Sequence, residues 1–322
     1  MPIYERDPWR DQYFVNVQCP DDILIPTDDM DAWPWNPQFN WVYDKLRVAQ
    51  SQGFACGPHG VAPPEYPVFS KPITNLKGMG VGSRVISSAR EMQRYATPGH
   101  FWMELFDGPH VSTDCAVVGG KIEWLRHAVG LASTQGMFSY WTLQVGEQPE
   151  LAAYLRTWVR KHMAGYTGMM NFETIGGKII EAHLRFADQW CDLYGKGWIE
   201  AVVRLYDRGV WQYTDDTPRE AYSIPLFARH NRNFCHPPDE RQSFIRNMPN
   251  ISSLQITFYE NRSAEDHPMP PGGFRVGIIN AWDLKSGFRA INELAKSFPA
   301  EELLLEDFAL LSKANEKILL NT

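Results

Sequence analysis

Apolar and polar positions alternate most legibly in the stretch "MMNFETIGGKIIEAHLRF" at 169–186, where two runs with apolar residues at every second place flank Gly176-Gly177. Glycines supply the positive φ that tight hairpin turns need, so the pattern predicts a β-hairpin. With Gly176, Gly177 and Lys178 as a three-residue loop, Glu173 stands across from Glu181 and Asn171 across from His183. Met170, Phe172, Ile180, Ala182 and Leu184 then gather on the other face. A two-residue loop would set Glu173 opposite Ile180 and mix charge with hydrocarbon on both sides, so the period of two selects the longer loop. Directly opposed carboxylates destabilise a strand pair unless something positive lies between them. A divalent cation meets that need; a solvated outer face is the other reading.

Helical spacing marks "PELAAYLRTWVRKHM", with Leu151, Leu155, Trp158, Val159 and Met163 on one side and a proline near its start. "NWVYDKLRVAQSQGF" has the same spacing at Val42, Leu46 and Ala49 and stops at Gly53. Strands are predicted at "YFVNVQ", at "VFSKPI", and through "HFWMELFDGPHVSTDCAVVGGKIEWL", broken at Gly108-Pro109 and Gly119-Gly120. "TNLKGMGVGSRVIS" reads as a glycine-rich loop between two strands, unlike the strand-to-helix turn of a mononucleotide loop. A less regular region at 190–250 holds His230 and His236, read as surface or packing residues. It leads to strands in "SLQITFYENR" and "FRVGIINAWD", then the helix "LKSGFRAINELAKSF". The apolar "AEELLLEDFALLSKANEKILL" predicts a last helix that closes the core or meets another subunit.

Composition narrows the class. With 322 residues, 44% of them hydrophobic and including 12 Trp and 17 Phe, the chain is expected to be globular. A formal charge of -7 offers no general basic surface for nucleic acid. The charged start "MPIYERDPWR" is unlike a secretory signal, and no run approaches the ~18–20 apolar residues of a membrane span, so a soluble, cytoplasmic protein is expected. The five cysteines form no CxxC pair, which fits reduced thiols better than a zinc site.

Three pieces stand in chain order: "DKL" at 44–46, "PVFSKPI" with its glycine hairpin at 67–85, and the carboxylate hairpin ending in "EAHLR" at 181–185. In this order and spacing they resemble the ATP-grasp superfamily over roughly residues 41–190, with an echo in "RVGIINAWDLKSGFRAINELAK". The resemblance implies an α+β fold in which two subdomains with antiparallel sheets grip ATP. The implied division is a reduced N-terminal segment at 1–40, a lid subdomain at 41–102, a core subdomain at 103–298 with an inserted region at about 190–270, and a C-terminal helix at 299–322.

Carried onto this chain, the resemblance implies that Lys71 reaches the nucleotide's phosphates as a point charge and that Lys45 approaches them as well. Gly78, Gly80 and Gly82 would lay backbone N–H groups over those phosphates. Glu104, Leu105 and Phe106 become the segment that meets the adenine edge. For the ribose, His110 stands where many members carry a carboxylate, and Asp107 is the substitute. Glu173 and Glu181 become ligands for Mg2+, which prefers oxygen donors. His183 replaces the family's asparagine, either as a ligand better suited to Mn2+ or as a hydrogen-bonding group. Arg185 would neutralise the transferred phosphoryl group, with Lys71 as its catalytic companion.

The implied reaction joins a small-molecule carboxylate to an amine or thiol through an acyl phosphate, converting ATP to ADP and phosphate. A small-molecule kinase and a non-catalytic nucleotide-binding or assembly protein are the competing readings. Asp188 is the candidate general base, against a capping or surface role. The last helix is expected to support a homodimer. Glu181→Ala is expected to abolish turnover yet keep the fold, by relieving repulsion within the hairpin.

Overall fold

The computed structural model describes residues 3–76 and 78–304. From residue 305 onward the expected C-terminal helix, and the dimer contact assigned to it, lie outside the described residues. The lead-in begins with a short parallel pair, β1 (Ile3–Tyr4) against β2 (Ile25–Pro26), followed by α1 (Asp29–Trp35), which the Asp28 side chain caps. No strand forms at "YFVNVQ": a 3-10 turn occupies Asp11–Tyr13 and Val15 is exposed. The reason is tertiary, because Ile3, Phe14 and Ile25 anchor this segment across the large sheet and bury themselves with Met169, Phe186 and Trp198.

The helix expected through "NWVYDKLRVAQSQGF" is split. Asp44 takes an extended backbone (φ −81°, ψ 95°) and its carboxylate accepts the N–H of Arg47, so a 3-10 turn at Asn40–Tyr43 ends and α2 (Lys45–Ser51) starts afresh. Lys45 thereby becomes the first helical residue and is buried.

Two antiparallel sheets make up the body. The smaller contains β3 (Cys56–Pro58), β4 (Val68–Pro72), β5 (Arg84–Ile86) and, after α3 (Ala89–Arg94), β6 (His100–Glu104), in the order β3-β6-β4-β5. The glycine-rich segment joins β4 to β5, as its composition predicts. The larger sheet has eight strands. In chain order they are β7 (His110–Val118), β8 (Lys121–Ala132), β9 (Phe138–Leu143), β10 (Gly168–Ile175), β11 (Lys178–His183), β12 (Ala221–Ala228), β13 (Ile251–Gln255) and β14 (Phe274–Ala281). Their spatial order is β11-β10-β7-β8-β9-β12-β14-β13.

The two faces of this sheet differ as period two requires. One face buries Val111, Cys115, Met170, Phe172 and Ile179 against α4 (Pro149–His162), through Leu151, Leu155, Trp158 and Val159. The other receives the N-terminal segment and α5 (Trp198–Arg208). Beyond lie α6 (Asp239–Arg246) and α7 (Leu284–Ala295), the latter packed on β12 and β14. The region at 190–250 is more ordered than its composition suggests. β12 buries adjacent residues on opposite faces, Ser223 and Ile224, so it lacks clean alternation, and its Pro225 is tolerated beside a bulge at Leu226/Phe227. His230 and His236 hydrogen-bond the carbonyls of Pro270 and Phe258. Among the described residues no helix is long and apolar enough to cross a membrane, and Cys19, Cys56, Cys115, Cys191 and Cys235 are all free thiols.

Candidate active site

The hairpin reaches its expected register by a different route. Asn171 pairs with His183, Phe172 with Ala182 and Glu173 with Glu181. The turn, however, is the two-residue Gly176-Gly177, with φ of 55° and 75°, and Lys178 pairs with Ile175 instead of lying in the loop. A bulge restores the register: Thr174 pairs with Ile179, leaving Ile180 as the extra residue. Ile179 therefore fills the core in place of Ile180. The carbonyl of the bulged Ile180 accepts a hydrogen bond from Lys71 Nζ at 2.8 Å. Adjacent isoleucines satisfy either loop length, which is why alternation could not reveal the bulge.

Two lysines from separate elements converge on this hairpin. Lys71, on β4, is 3% exposed and Lys45, opening α2, is 7% exposed. Lys45 Nζ donates to Glu181 Oε1 at 2.6 Å. Burial pushes the Lys71 amine down to about 7; Glu181 pulls it back up and Lys45 pushes it further down. For Glu181 burial acts to raise the carboxyl, but Lys45, then Lys71 and His183, outweigh it and hold the group at about 2.

Asp29 is the site residue that sequence reasoning missed. Arg185 grips it with a fork, Nε donating to Oδ1 at 3.0 Å and Nη2 to Oδ2 at 3.1 Å. His183 Nδ1 lies 2.9 Å from Asp29 Oδ2, and the Tyr43 hydroxyl donates to Oδ1 at 3.2 Å. Burial favours the neutral carboxyl, but Arg185 and His183 override it and keep Asp29 well below the usual carboxylate range. The acidic run "DDMD" was the available signal, yet its members part company: Asp28 caps α1, Asp31 meets Arg6, and Asp29 meets Arg185.

The expected metal trio is not gathered at one point. Glu173 Oε2 is 2.6 Å from His110 Nε2, whose ring lies edge-on to Phe138 and Trp141. Glu181 is engaged by Lys45, while His183 commits Nδ1 to Asp29 and leaves Nε2 at 3.7 Å from Glu181 Oε2. His110 thus touches a carboxylate where a ribose contact was expected. Among the described residues the acids spaced to share an ion are Glu5, Asp7 and Asp188. Buried Arg10 pairs with both Asp7 and Asp188, so the expected general base is committed to an ion pair.

The donor chemistry fits a nucleotide. A buried amine on β4 has a carbonyl oxygen as its hydrogen-bond partner and stands beside a second buried ammonium, an environment that an anion's oxygens complete. Glu173 and Glu181, paired across the hairpin, are hard oxygen donors of the kind Mg2+ takes, and each has a basic partner here, His110 and Lys45.

Between the sheets the chain passes through residues 104–109. The Glu104 carboxylate accepts the Ala55 N–H at 2.8 Å, Leu105 is exposed, and Phe106 packs on Phe54 with the Lys178 amine 4.6 Å from its ring centre. Asp107 bonds the following N–H of Gly108. A Cβ on Gly176 would lie 2.2 Å from the Asp107 carbonyl, so glycine is what lets the connecting strand rest on the hairpin turn. In the flap Gly78, Gly80 and Gly82 all have positive φ, at 64°, 65° and 79°. The flap tip reaches the large sheet: the Met79 carbonyl would lie 3.3 Å from a Cβ on Gly136, in the turn between β8 and β9.

No protein-family model matches this chain, and no curated protein matches it by sequence. Solved structures do match. Phosphoribosylamine–glycine ligase from Thermotoga maritima aligns with a TM-score of 0.60 at 13% identity, over 91% of this chain and 86% of that one. L-amino acid ligase from Bacillus licheniformis aligns with a TM-score of 0.57 at 11% identity, over 92% and 84%. Carboxyaminoimidazole ribonucleotide synthase from Aspergillus clavatus, solved as a complex with ATP, aligns with a TM-score of 0.53 at 10% identity, over 81% and 75%. With a flap-bearing four-stranded sheet set against an eight-stranded sheet that carries the carboxylate hairpin, the chain has the ATP-grasp fold.

Proposed function

We propose that this protein is an ATP-dependent ligase that couples a carboxylate to an amine or thiol through an acyl phosphate. The observation that carries the reading is the pair of buried lysines at the hairpin. Lys45, Lys71 and Arg185 face the carboxylates of Glu181 and Asp29, and Lys71 has only a carbonyl as hydrogen-bond partner among the described residues. Lys45 and Arg185 already have carboxylate partners, so it is the desolvated Lys71 amine, hydrogen-bonded to a carbonyl, that favours an anion's oxygens.

In this reading Lys71 and Lys45 bind phosphate oxygens, and the N–H groups of Gly78, Gly80 and Gly82 cover them and exclude water. Glu104, Leu105 and Phe106 border the adenine, and Asp107 and His110 border the ribose. Glu173 and Glu181, facing each other across the hairpin, would hold the divalent ion once each gives up its basic partner, with His183 staying on Asp29 as a hydrogen-bonding group; the ion when bound would neutralise phosphate charge. Arg185 offers its fork to the transferring phosphoryl group in exchange for Asp29. The substrate carboxylate takes the γ-phosphoryl group, and the nucleophile then displaces phosphate from the acyl carbon. The protein's contribution is positioning and charge compensation. The names of the fold relatives, ligases among them, support this class of reaction.

The test is incubation with Mg-ATP and defined pools of carboxylates, amines and thiols, reading ADP, phosphate and hydroxylamine-trapped acyl groups. We expect ATP-dependent hydroxamate formation, and at least a ~100-fold loss of turnover in Lys71→Ala. A stable phosphorylated product without phosphate release assigns a kinase instead. Failure to bind ATP overturns both.

A further inference from the structure

A cleft of about 590 Å³ is lined by Arg126 of β8, by Asp192, Tyr194 and Lys196, and by Arg219 and Trp282. None of the residues assigned above to the nucleotide lines it, and its size is that of a small-molecule site.

Its walls are fixed from beneath. Arg126, 7% exposed, donates from Nε to the Gln144 carbonyl at 3.0 Å, from Nη1 to Asp215 Oδ2 at 3.2 Å and from Nη2 to the Arg219 carbonyl at 2.7 Å. Arg126 and Asp215 thus compensate each other, and the loop that carries Arg219 is tied at two points by one buried side chain. The Tyr213 hydroxyl binds the Tyr194 carbonyl, closing the other side of the same loop. The Arg219 guanidinium lies over the Trp282 ring, 3.7 Å from its centre, so the cation rests on an aromatic wall. Lys196 stands between Gly195 and Gly197, at φ of 102° and 87°. A Cβ on Gly195 would lie 2.9 Å from the Tyr213 hydroxyl, so this turn requires glycine to present the lysine where it does.

The charge balance decides the ligand. Asp192 is turned inward: its Oδ1 accepts from Asn280 Nδ2 at 2.7 Å, its Oδ2 is buried without a hydrogen-bond partner among the described residues, and burial pushes its carboxyl up toward the neutral form. Lys196 and Arg219 form no ion pair among the described residues. The cleft therefore offers two uncompensated cations on a braced frame beside an aromatic ring. We propose that it is a second binding site that takes a small organic anion, with a carboxylate or phosphate monoester held between Lys196 and Arg219.

The test is calorimetric titration without nucleotide, so absence of ATP turnover would leave this inference untouched. The probes are glutarate, glycerol phosphate and the uncharged glutaramide. Wild type is expected to bind one of the two anions at least about tenfold more tightly than the double variant Lys196→Ala/Arg219→Ala, with Lys196→Arg retaining affinity and glutaramide not binding. Which anion binds identifies the head group. Both replaced side chains are exposed, and equal unfolding midpoints without probe confirm that the variant is folded. Binding of neither anion, equal affinity in the double variant, or displacement by Mg-ATP overturns the proposal.

Discussion

Glu181 is ion-paired to the buried Lys45 ammonium, with the Lys71 amine near enough to lower its carboxyl further, and that runs against the expectation drawn from opposed carboxylates. Across the hairpin Glu173 is engaged by His110, so little repulsion remains to be relieved. Glu181→Ala would instead strand Lys45 and Lys71 without their acid. With a fifth of the Glu181 side chain exposed, the expected cost is about 2–4 kcal/mol, measured by denaturant unfolding near neutral pH. The same pair sets an acid limb. The carboxyl lies at about 2 in the folded protein against an ordinary 4.5, so its stabilisation is complete above 4.5 and is lost as pH falls toward 2. Unfolding midpoints of wild type should therefore drop across that window more steeply than those of Glu181→Gln.

At the scale of elements, the hairpin's turn and bulge act as one device. Gly176-Gly177 makes the tight turn, the bulge at Ile180 restores the facing of Glu173 and Glu181, and the displaced carbonyl receives Lys71. Gly176→Ala forces a Cβ to 2.2 Å from the Asp107 carbonyl in a backbone that already disfavours side chains. A loss of about 2–3 kcal/mol is expected, seen as a fall of roughly 3–5 °C in the unfolding midpoint, whereas Gly177→Ala, whose Cβ meets nothing within 4 Å, should cost less. The pattern of apolar positions showed this hairpin, α4, the strands around the glycine flap and α7. It did not show the split at Asp44 or the strand β12. A side-chain cap can interrupt a helix without disturbing its apolar spacing, and a strand buried on both faces has no alternation to read.

Across the whole molecule, the N-terminal segment is a working part of the site. It crosses the face of the large sheet opposite α4, buries Ile3, Phe14 and Ile25 there, pairs Arg10 with Asp188, and delivers Asp29 to Arg185 and His183. Asp29→Asn keeps the shape and removes the charge, leaving the Arg185 guanidinium with a weaker partner. Stability should fall by about 3 kcal/mol in denaturant unfolding. If Arg185 exchanges Asp29 for a phosphoryl group during turnover, the same variant should bind ATP more tightly relative to its stability. Titration of Mg-ATP into wild type and variant checks this.

The linear order of residues determined a good deal by itself. Local periodicity placed Glu173, Glu181, His183 and Asn171 on one face of one hairpin, and the resemblance of the ordered motifs to the ATP-grasp superfamily implied the fold. The facing within the hairpin depends on neighbours within a few residues, because it follows from backbone geometry alone. Partnerships were another matter. Arg185 with Asp29, Lys45 with Glu181 and Arg10 with Asp188 join residues 156, 136 and 178 positions apart. Many acids along the chain have the right charge for each base, and only the packing of the sheets and the N-terminal segment brings one of them within hydrogen-bonding distance and shuts out water. Periodicity tells which way a side chain faces; the tertiary structure alone decides what it meets there.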